Sequence, residues 1–255
     1  MVCASPGCRA RRPIVDSIPL LVNDFTTYAA SERWIVLRRR DLDPEADAML
    51  DSPLSGDSPE RIRSRMLDAY RATSPNGELE EFFLSALNRH AAPCAFAADL
   101  GCAAGRCTPW LVPYAQSVAG IDLHFERALA AAHDHPHPSI RYLVADAERP
   151  PFAPHSAGLV LWLNLLDSIG RPRASLDGLL QILAPGALLL FSSPFAYSSA
   201  VSDPAEWVPE DEFDDWAAAH FDVLDARGHL PWALPSGPRR ADLFDVRAAI
   251  LRRKS

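Results

Sequence analysis

The chain has 255 residues, of which 48% are apolar and 23% are charged, which suits one α/β domain with a sizeable core and an appendage. No apolar run approaches the roughly 18 residues of a membrane span, and the first residues lack a secretory signal, so we expect a cytosolic protein that binds no membrane. The 25 basic and 33 acidic residues give a formal charge of −8, which disfavours nucleic acid as a partner because phosphate-binding surfaces are basic.

Three regions are predicted from the order of apolar and polar stretches. Residues 1–24 form a small appendage, residues 25–92 form a helical extension or cap, and residues 93–255 form the main domain. Within the extension, helices are predicted at 61–72 and 78–90, because each stretch begins with N-terminal helix signals and has apolar residues at helical spacing. The second of these helices is expected to pack on the main domain.

Short apolar runs alternate with amphipathic stretches from residue 93 onward. The predicted strands are 94–101, 117–123, 139–146, 157–164 and 186–193, and the predicted helices are 108–114, 125–133 and 174–183. This alternation favours parallel strands joined by right-handed crossovers. Because the strands are almost entirely apolar, both faces of the sheet should be covered by helices. The sequence therefore predicts an α/β fold with a mostly parallel sheet and helices on both faces.

A turn with small residues follows the first predicted strand, in the sequence Asp99-Leu100-Gly101-Cys102-Ala103-Ala104-Gly105-Arg106. Gly101 and Gly105 allow the backbone to curl tightly and to approach a ligand. Taken alone, the turn is also explained by close packing of a helix on a strand.

Two further acids end the next strands. Asp122 ends the second strand about 20 residues after Asp99, where a carboxylate can accept hydrogen bonds from both ribose hydroxyls of an adenine nucleoside. Asp146 ends the third strand and is placed to read the edge of an adenine base. Because parallel strands end at one edge of the sheet, the three acids should line one crevice, although each also suits a plain loop.

Residues 95–193 resemble the class I S-adenosylmethionine-dependent methyltransferase domain, of the small-molecule, type 11-like kind. DLGCAAGR resembles that family's acid-x-Gly-x-Gly-x-Gly loop, with Ala103 at the middle glycine, and GIDL, VADAERPPFAPHSAGLVL and LAPGALLLFSSP resemble its later motifs. The resemblance implies a Rossmann-like, seven-stranded, mostly parallel sheet whose last two strands, 220–227 and 244–251, form an antiparallel pair. The cofactor residues that it implies are Asp99, Gly101, Ala103, Gly105, Asp122, Leu123, Asp146, Ala147 and Asn164.

The candidate catalytic residues, Asn164 and Asp167, follow the fourth strand. In the fold that the resemblance implies, this position faces the transferred methyl group. Asn164 is expected to orient the cofactor or a polar group of the substrate, and Asp167 to do the same or to accept a proton. The alternative is that Asp167 only caps or solvates the following loop.

The N-terminal appendage resembles the closing part of a zinc ribbon of the Trm112 family, in its stretch PIVDSIPLLVND (13–24). Cys3 and Cys8 precede that stretch and are weak candidates for metal ligands. A four-thiolate zinc site needs a second cysteine pair, and Ser17 stands where a glycine is usual. We therefore expect no zinc, and a metal-free remnant that packs as a small strand.

The region after the fifth strand, residues 193–216, is rich in aromatic, proline and acidic residues. It is predicted to form a lid over the substrate, with Phe195, Tyr197 and Trp207 as pocket walls. The alternative is an acidic surface loop with a helix at 210–219. The connection 229–240 loosely resembles the tail of methyltransferases that act on thiohistidine and related small metabolites.

The sequence is thus interpreted as an enzyme that transfers a methyl group from S-adenosylmethionine to an O, N or S atom of a small metabolite. One alternative is a ribosomal or transfer RNA methyltransferase, because zinc ribbons occur ahead of RNA-modifying domains. Another is an accessory protein that binds the cofactor without catalysis. No motif specifies the substrate or the oligomeric state.

Overall fold

The computed structural model describes residues 10–25, 27, 28, 77–237 and 240–255. The strands are β1 (Ile14–Val15), β2 (Ile18–Pro19), β3 (Cys94–Leu100), β4 (Ala115–Asp122), β5 (Ile140–Val144), β6 (Ala157–Leu163), β7 (Leu183–Ser193), β8 (Phe221–Gly237) and β9 (Arg240–Arg253). The helices are α1 (Gly77–His90), α2 (Phe125–Asp134), α3 (Pro172–Ile182) and α4 (Glu210–His220).

Strands β3 to β9 form a seven-stranded sheet in the order β5-β4-β3-β6-β7-β9-β8. The pairs among β3, β4, β5, β6 and β7 are parallel, whereas β9 is antiparallel to both β7 and β8. The strand order reverses between β3 and β6, and ligands bind outside the carboxyl ends of strands at such a switch point. The predicted Rossmann-like, seven-stranded, mostly parallel fold is confirmed.

Alternate residues of the central strands pack on opposite faces of the sheet. Leu188 and Leu190 of β7 join a core with helices α1 and α2, and Leu189 and Phe191 join a second core with α3 and α4. This period of two explains why the strands are apolar throughout, since each face is covered by its own pair of helices.

Two of the helix predictions need comment. The helix predicted at 78–90 is α1, which places Phe82 and Phe83 in the core at 2% and 1% exposure, whereas 61–72 lies outside the described residues. The helix predicted at 108–114 is only a 3₁₀ turn, Thr108–Leu111. Pro109 is the second residue of that turn, and Pro113 has no N–H with which to continue it.

The last two strands are longer than predicted. They were expected at 220–227 and 244–251 with a connection at 229–240, but pairing continues through Trp232 and Phe244, whose ring centroids lie 5.1 Å apart. Strand β8 tolerates Pro231 and Pro235 because it lies at the edge of the sheet, where β9 is its one neighbour among the described strands.

The N-terminal appendage contains a small two-stranded hairpin, β1 and β2. Its turn residues Asp16 and Ser17 have φ angles of 48° and 66°, the left-handed region that favours glycine. Leu20 then forms a parallel bridge with Val144 at the end of β5. Cys3 and Cys8 lie outside the described residues, and the division into 1–24, 25–92 and 93–255 stays a prediction.

Among the residues that the structure describes, none of the helices is both long enough and apolar enough to span a membrane.

Gly105 allows helix α2 to lie close to the sheet. Its φ is 78°, and a Cβ at this position would lie 2.6 Å from Cβ of Ala131 in α2 and 3.0 Å from the ring of Tyr142 in β5. Gly186 has nearly the same φ, 76°, but a Cβ there would have no other atom within 4 Å. The two glycines therefore differ only in what surrounds them.

We predict that Gly105→Ala lowers the free energy of unfolding more than Gly186→Ala does. Both changes place an L-residue in the left-handed region, at roughly 1–2 kcal/mol each, but only Gly105→Ala adds steric overlap, typically about another 1–3 kcal/mol. Urea denaturation of both variants measures the difference. Equal losses in the two variants would contradict close packing of α2 at Gly105.

Candidate functional site

The loop after β3 has an unusual backbone in which alternate residues are left-handed. The φ angles of Gly101, Ala103 and Gly105 are 72°, 48° and 78°. A Cβ at Gly101 would lie 2.7 Å from Cδ1 of Leu165, in the loop after β6. Ala103 adopts the conformation at a cost of roughly 1 kcal/mol relative to glycine. The loop thus presents backbone rather than side chains at the carboxyl edge of the sheet.

Asp122 holds this loop in place. Its Oδ2 accepts a hydrogen bond from the N–H of Ala103 at 3.0 Å, and its Oδ1 accepts one from the N–H of His124 at 2.9 Å. Nη1 of Arg127 lies 3.7 Å from Oδ1. Because a carboxylate has about four lone-pair positions, Asp122 retains capacity for the two hydroxyls of a ribose.

Asp99 lies below the loop and is 3% exposed. Its Oδ2 accepts a hydrogen bond of 2.6 Å from the hydroxyl of Thr108, at the start of the 3₁₀ turn. Burial raises the pKa of Asp99 to about 7; the Thr108 hydroxyl opposes that rise and the nearby charge of Asp122 adds to it. Asp99 therefore holds the C-terminal end of the loop, at Thr108, from inside the protein.

The predicted adenine-side residues lie at the ends of β4 and β5. Asp146 is half-buried, which raises its pKa, and its Oδ1 accepts a hydrogen bond from the N–H of Glu148 at 2.8 Å. Ala147 is partly buried against the core. Leu123 is 45% exposed next to Asp122, an apolar surface that suits the face of a planar base.

The backbone conformation at position 164 favours asparagine. The φ of Asn164 is 51°, a region in which asparagine is enriched. The hydroxyl of Ser192 donates to Oδ1 of Asn164 at 2.8 Å, and the Asn164 N–H donates to the Ser192 carbonyl at 2.8 Å. The side-chain amide nitrogen makes no hydrogen bond within the part of the chain that the structure describes, so orienting a carbonyl or carboxylate of a ligand is a role that fits.

Asp167 lies in a 3₁₀ turn, Leu166–Ser168, at 7% exposure. Its Oδ2 accepts a hydrogen bond from the N–H of Ala196 at 2.8 Å, which joins the loop after β6 to the segment after β7. Oδ1 is buried without a hydrogen-bond partner among the described residues. Burial raises the pKa of this carboxyl, and the N–H groups of Ala196 and Asp167 and the nearby hydroxyl of Ser168 oppose the rise. A buried acceptor without a donor is costly unless a ligand supplies one.

The segment after β7 contains the three aromatic residues predicted as pocket walls. Phe195 packs on Phe213 of α4, with ring centroids 6.0 Å apart, whereas Tyr197 and Trp207 stack on each other at 5.5 Å. Arg173 of α3 donates to the carbonyls of Ala205 and Trp207 and pairs with Glu212. The segment is therefore attached to α3, and the predicted helix at 210–219 is α4.

Sequence reasoning missed the residues that support the site. Thr108, Arg127, Leu165 and Ser192 each contact a predicted site residue, yet none was a candidate, although Ser192 lies in the motif LAPGALLLFSSP. Arg127 had a weak signal, because a basic residue one turn into the helix after Asp122 can reach back to it. The others depend on contacts between separate loops.

Comparisons with known proteins agree with this geometry. A protein family described as "Methyltransferase domain" matches residues 98–191. The structure is similar to the N-methyltransferase NodS from Bradyrhizobium japonicum, with 19% identity, coverage of 70% of this chain and 98% of that one, and a TM-score of 0.51. No curated protein sequence is significantly similar to the chain.

Two other solved structures are similar to a comparable degree. One is a complex between the Haloferax volcanii Trm112 methyltransferase activator and a methyltransferase, at 16% identity, with coverage of 74% of this chain and 96% of that one, and a TM-score of 0.52. The other is the [4+2]-cyclase SpnF, at 13% identity, coverage of 69% and 82%, and a TM-score of 0.50. At these identities the likeness concerns the fold.

The fold, the loop and the family match together define a class I methyltransferase domain. Residues 98–191 of the chain match the domain of S-adenosylmethionine-dependent methyltransferases. The left-handed loop, which presents backbone atoms at the carboxyl edge of the sheet, and the acceptor capacity of Asp122 suit that cofactor, whose sulfonium end has no pyrophosphate to bind. The role of each predicted site residue stays a prediction.

No group of three or more metal-ligating side chains occurs within the part of the chain that the structure describes. The weak zinc candidates, Cys3 and Cys8, fall outside that part.

We predict that Asp99→Asn changes the dependence of stability on pH. The pKa of Asp99 is about 7 in the folded protein and near the ordinary 3.8 after unfolding, so the folded protein binds the extra proton between these values. Its contribution to stability is therefore lost as pH rises from about 4 to about 7. The amide oxygen of the variant still accepts the Thr108 hydroxyl, but the amide does not titrate. Thermal unfolding should therefore show the variant gaining stability relative to wild type across this range.

The matched control is Asp177→Asn, which changes an exposed carboxylate of α3. The difference between this control and wild type should be flat over the same pH range. A flat difference for Asp99→Asn as well would mean that Asp99 is not a buried carboxyl of raised pKa.

Proposed function

We propose that this methyltransferase acts on a small-molecule metabolite, and that it methylates an O, N or S atom. The observation that supports the proposal most directly is the arrangement at the carboxyl edge of the sheet. There the left-handed loop 101–105, the carboxylate of Asp122 and the buried, unpartnered oxygen of Asp167 all follow parallel strands of one sheet. Such an edge is where α/β sheets bind ligands.

In this proposal the residues of β3, β4 and β5 bind the cofactor. The loop of Gly101, Ala103 and Gly105 contacts it with backbone atoms, and Asp122 accepts hydrogen bonds from the ribose. Asp146 and Ala147 lie at the adenine edge, and Leu123 covers the adenine face. When bound, S-adenosylmethionine supplies a methyl group that positive sulfur already activates, so the protein mainly has to place the nucleophile in line.

In this proposal Asp167 contacts the nucleophilic group of the substrate. Its Oδ1 accepts a hydrogen bond from the N–H or O–H of the substrate, and its Oδ2 stays bonded to the Ala196 N–H. The raised pKa makes this carboxylate a better base than an exposed aspartate, so it is able to take the proton that the substrate loses. Asn164 is assigned to orientation, through its side-chain nitrogen.

The charge around the site supports a small substrate over RNA. The segment beside Asp167 contains Asp203, Glu206, Glu210, Asp211, Glu212, Asp214 and Asp215. Arg173 and Arg247 pair with part of this set, at Glu212, Glu210 and Asp214. The remaining acids repel a phosphate backbone. We also place the enzyme in the cytosol, where its free thiols Cys94, Cys102 and Cys107 stay reduced.

We predict that the protein binds S-adenosylhomocysteine and that Asp122→Asn raises the dissociation constant about tenfold or more. The change removes the charge that accepts ribose hydroxyls and also weakens the support of the Ala103 N–H. Isothermal titration calorimetry measures both proteins, and Asp177→Asn is the control with unchanged affinity. Absence of binding to folded wild type would overturn the cofactor assignment.

We predict that labelled methyl from S-adenosylmethionine enters the small-molecule fraction of a cell extract and not its RNA. The fold also occurs in a protein described as a [4+2]-cyclase, so the fold alone does not establish the reaction. For that reason this experiment measures methyl transfer and not only cofactor binding. Asp167→Asn should reduce the initial rate about tenfold or more while the affinity for S-adenosylhomocysteine stays the same. In that variant the amide oxygen keeps the Ala196 N–H, and the amide nitrogen replaces the free acceptor.

Label in the RNA fraction would favour the RNA methyltransferase alternative. Tight cofactor binding with no transfer to either fraction would favour the accessory-protein alternative. An unchanged rate in Asp167→Asn would leave the acid as a structural residue that joins two loops.

A further inference from the structure

The N-terminal appendage is bonded to the edge of the main sheet beside the cofactor site. Leu20 forms a parallel bridge with Val144, the last residue of β5, and the Leu21 N–H donates to the Val144 carbonyl at 2.6 Å. The Leu20 N–H in turn donates to the Pro13 carbonyl at 3.1 Å, which closes the hairpin on itself. The appendage thus pairs with the edge of the sheet through a single bridge, at the carboxyl end of β5.

Apolar side chains fix the appendage at this place. Val15, Ile18, Leu20 and Val22 are 1%, 2%, 1% and 3% exposed. They join the core that contains Phe125, Ala128 and Ala131 of helix α2 and Tyr142 and Val144 of β5. These four side chains are therefore part of the core of the folded domain and do not lie on its surface.

The bonded strand end leads directly to the predicted cofactor residues. After Val144, the Ala145 N–H donates to the backbone carbonyl of Asp122 at 3.1 Å, and the next residue is Asp146. A continuous set of backbone hydrogen bonds thus runs from Leu21 through the end of β5 to the ribose-side residue. The Leu21 N–H is therefore bonded two residues before Asp146, and one further backbone hydrogen bond joins that segment to Asp122.

We propose that residues 13–22 are a positioning element for the cofactor site, and that the Leu21 N–H is the contact through which they act. The inference rests on the proposed cofactor roles of Asp122 and Asp146. The hairpin holds the end of β5 in the geometry that binds the adenosine half of S-adenosylmethionine. The appendage is then needed for cofactor affinity without touching the reacting atoms.

Leu21→Pro tests the contact, with Leu21→Ala as the matched control. Proline removes the N–H, and the extended bridge geometry of Leu20 before it is compatible with a following proline. Alanine shortens the same side chain but keeps the N–H. We expect Leu21→Pro to raise the dissociation constant of S-adenosylhomocysteine about five- to tenfold, and Leu21→Ala to stay within about twofold of wild type.

A readout other than stability separates positioning from folding. Affinities are measured at a temperature at which each apoprotein is fully folded by its thermal unfolding curve. In the methyl-transfer assay, Leu21→Pro should raise KM for S-adenosylmethionine and leave kcat unchanged, because the reacting atoms lie elsewhere. Equal affinity of Leu21→Pro and wild type would overturn the proposal, as would a lower melting temperature with no change in KM.

A second measurement uses the wild-type protein and needs no variant. If the appendage raises the affinity for the cofactor, bound cofactor must in turn stabilise the contacts of the appendage, since coupling between two sites is reciprocal. Hydrogen exchange of the Leu21 amide should therefore slow when S-adenosylhomocysteine is added. Unchanged exchange in a protein saturated with the compound would contradict the proposal. Failure of wild type to bind the compound at all would instead contradict the proposed function.

Discussion

The site depends on the hydrogen bonds that the carboxylate of Asp122 accepts from two loops. One oxygen accepts the N–H of Ala103, which lies in a left-handed loop that ordinary residues avoid, and the other accepts the N–H of His124 at the start of helix α2. A single side chain at the end of β4 thereby fixes the turn after β3 and the helix after β4. The parallel pairing of β3 and β4 places the carboxylate beside that turn, so the geometry of the site follows from the topology of the sheet.

Other contacts of the site follow from that arrangement. Asp99 supports the loop from below through Thr108, and Leu165 fills the space that a side chain at Gly101 would need. On the other half of the sheet, Asp167 links the loop after β6 to the segment after β7 through the Ala196 N–H. The proposed binding half and the proposed catalytic half thus meet where β3 and β6 lie side by side, at the point where the strand order reverses.

The sequence predicted features whose signals are local. Strands buried on both faces are continuous apolar runs, so β3, β4, β5 and β6 were found to within a few residues, and the acids at their ends followed at once. The length of β8 and β9 was not predicted, because Pro231 and Pro235 suggest a loop unless the strand is known to lie at an edge. The pairing of Leu20 with Val144 and the support of Asp99 by Thr108 could not be predicted, since they join segments that only the tertiary fold brings together.

The central claim is that Asp122 both supports the loop and binds the ribose of the cofactor. A crystal structure of the protein with S-adenosylhomocysteine tests it directly. The account predicts both ribose hydroxyls within hydrogen-bond distance of the Asp122 carboxylate, with the Ala103 N–H still bonded to it. A ribose bound elsewhere, with Asp122 contacting only Ala103, His124 and Arg127, would contradict the account.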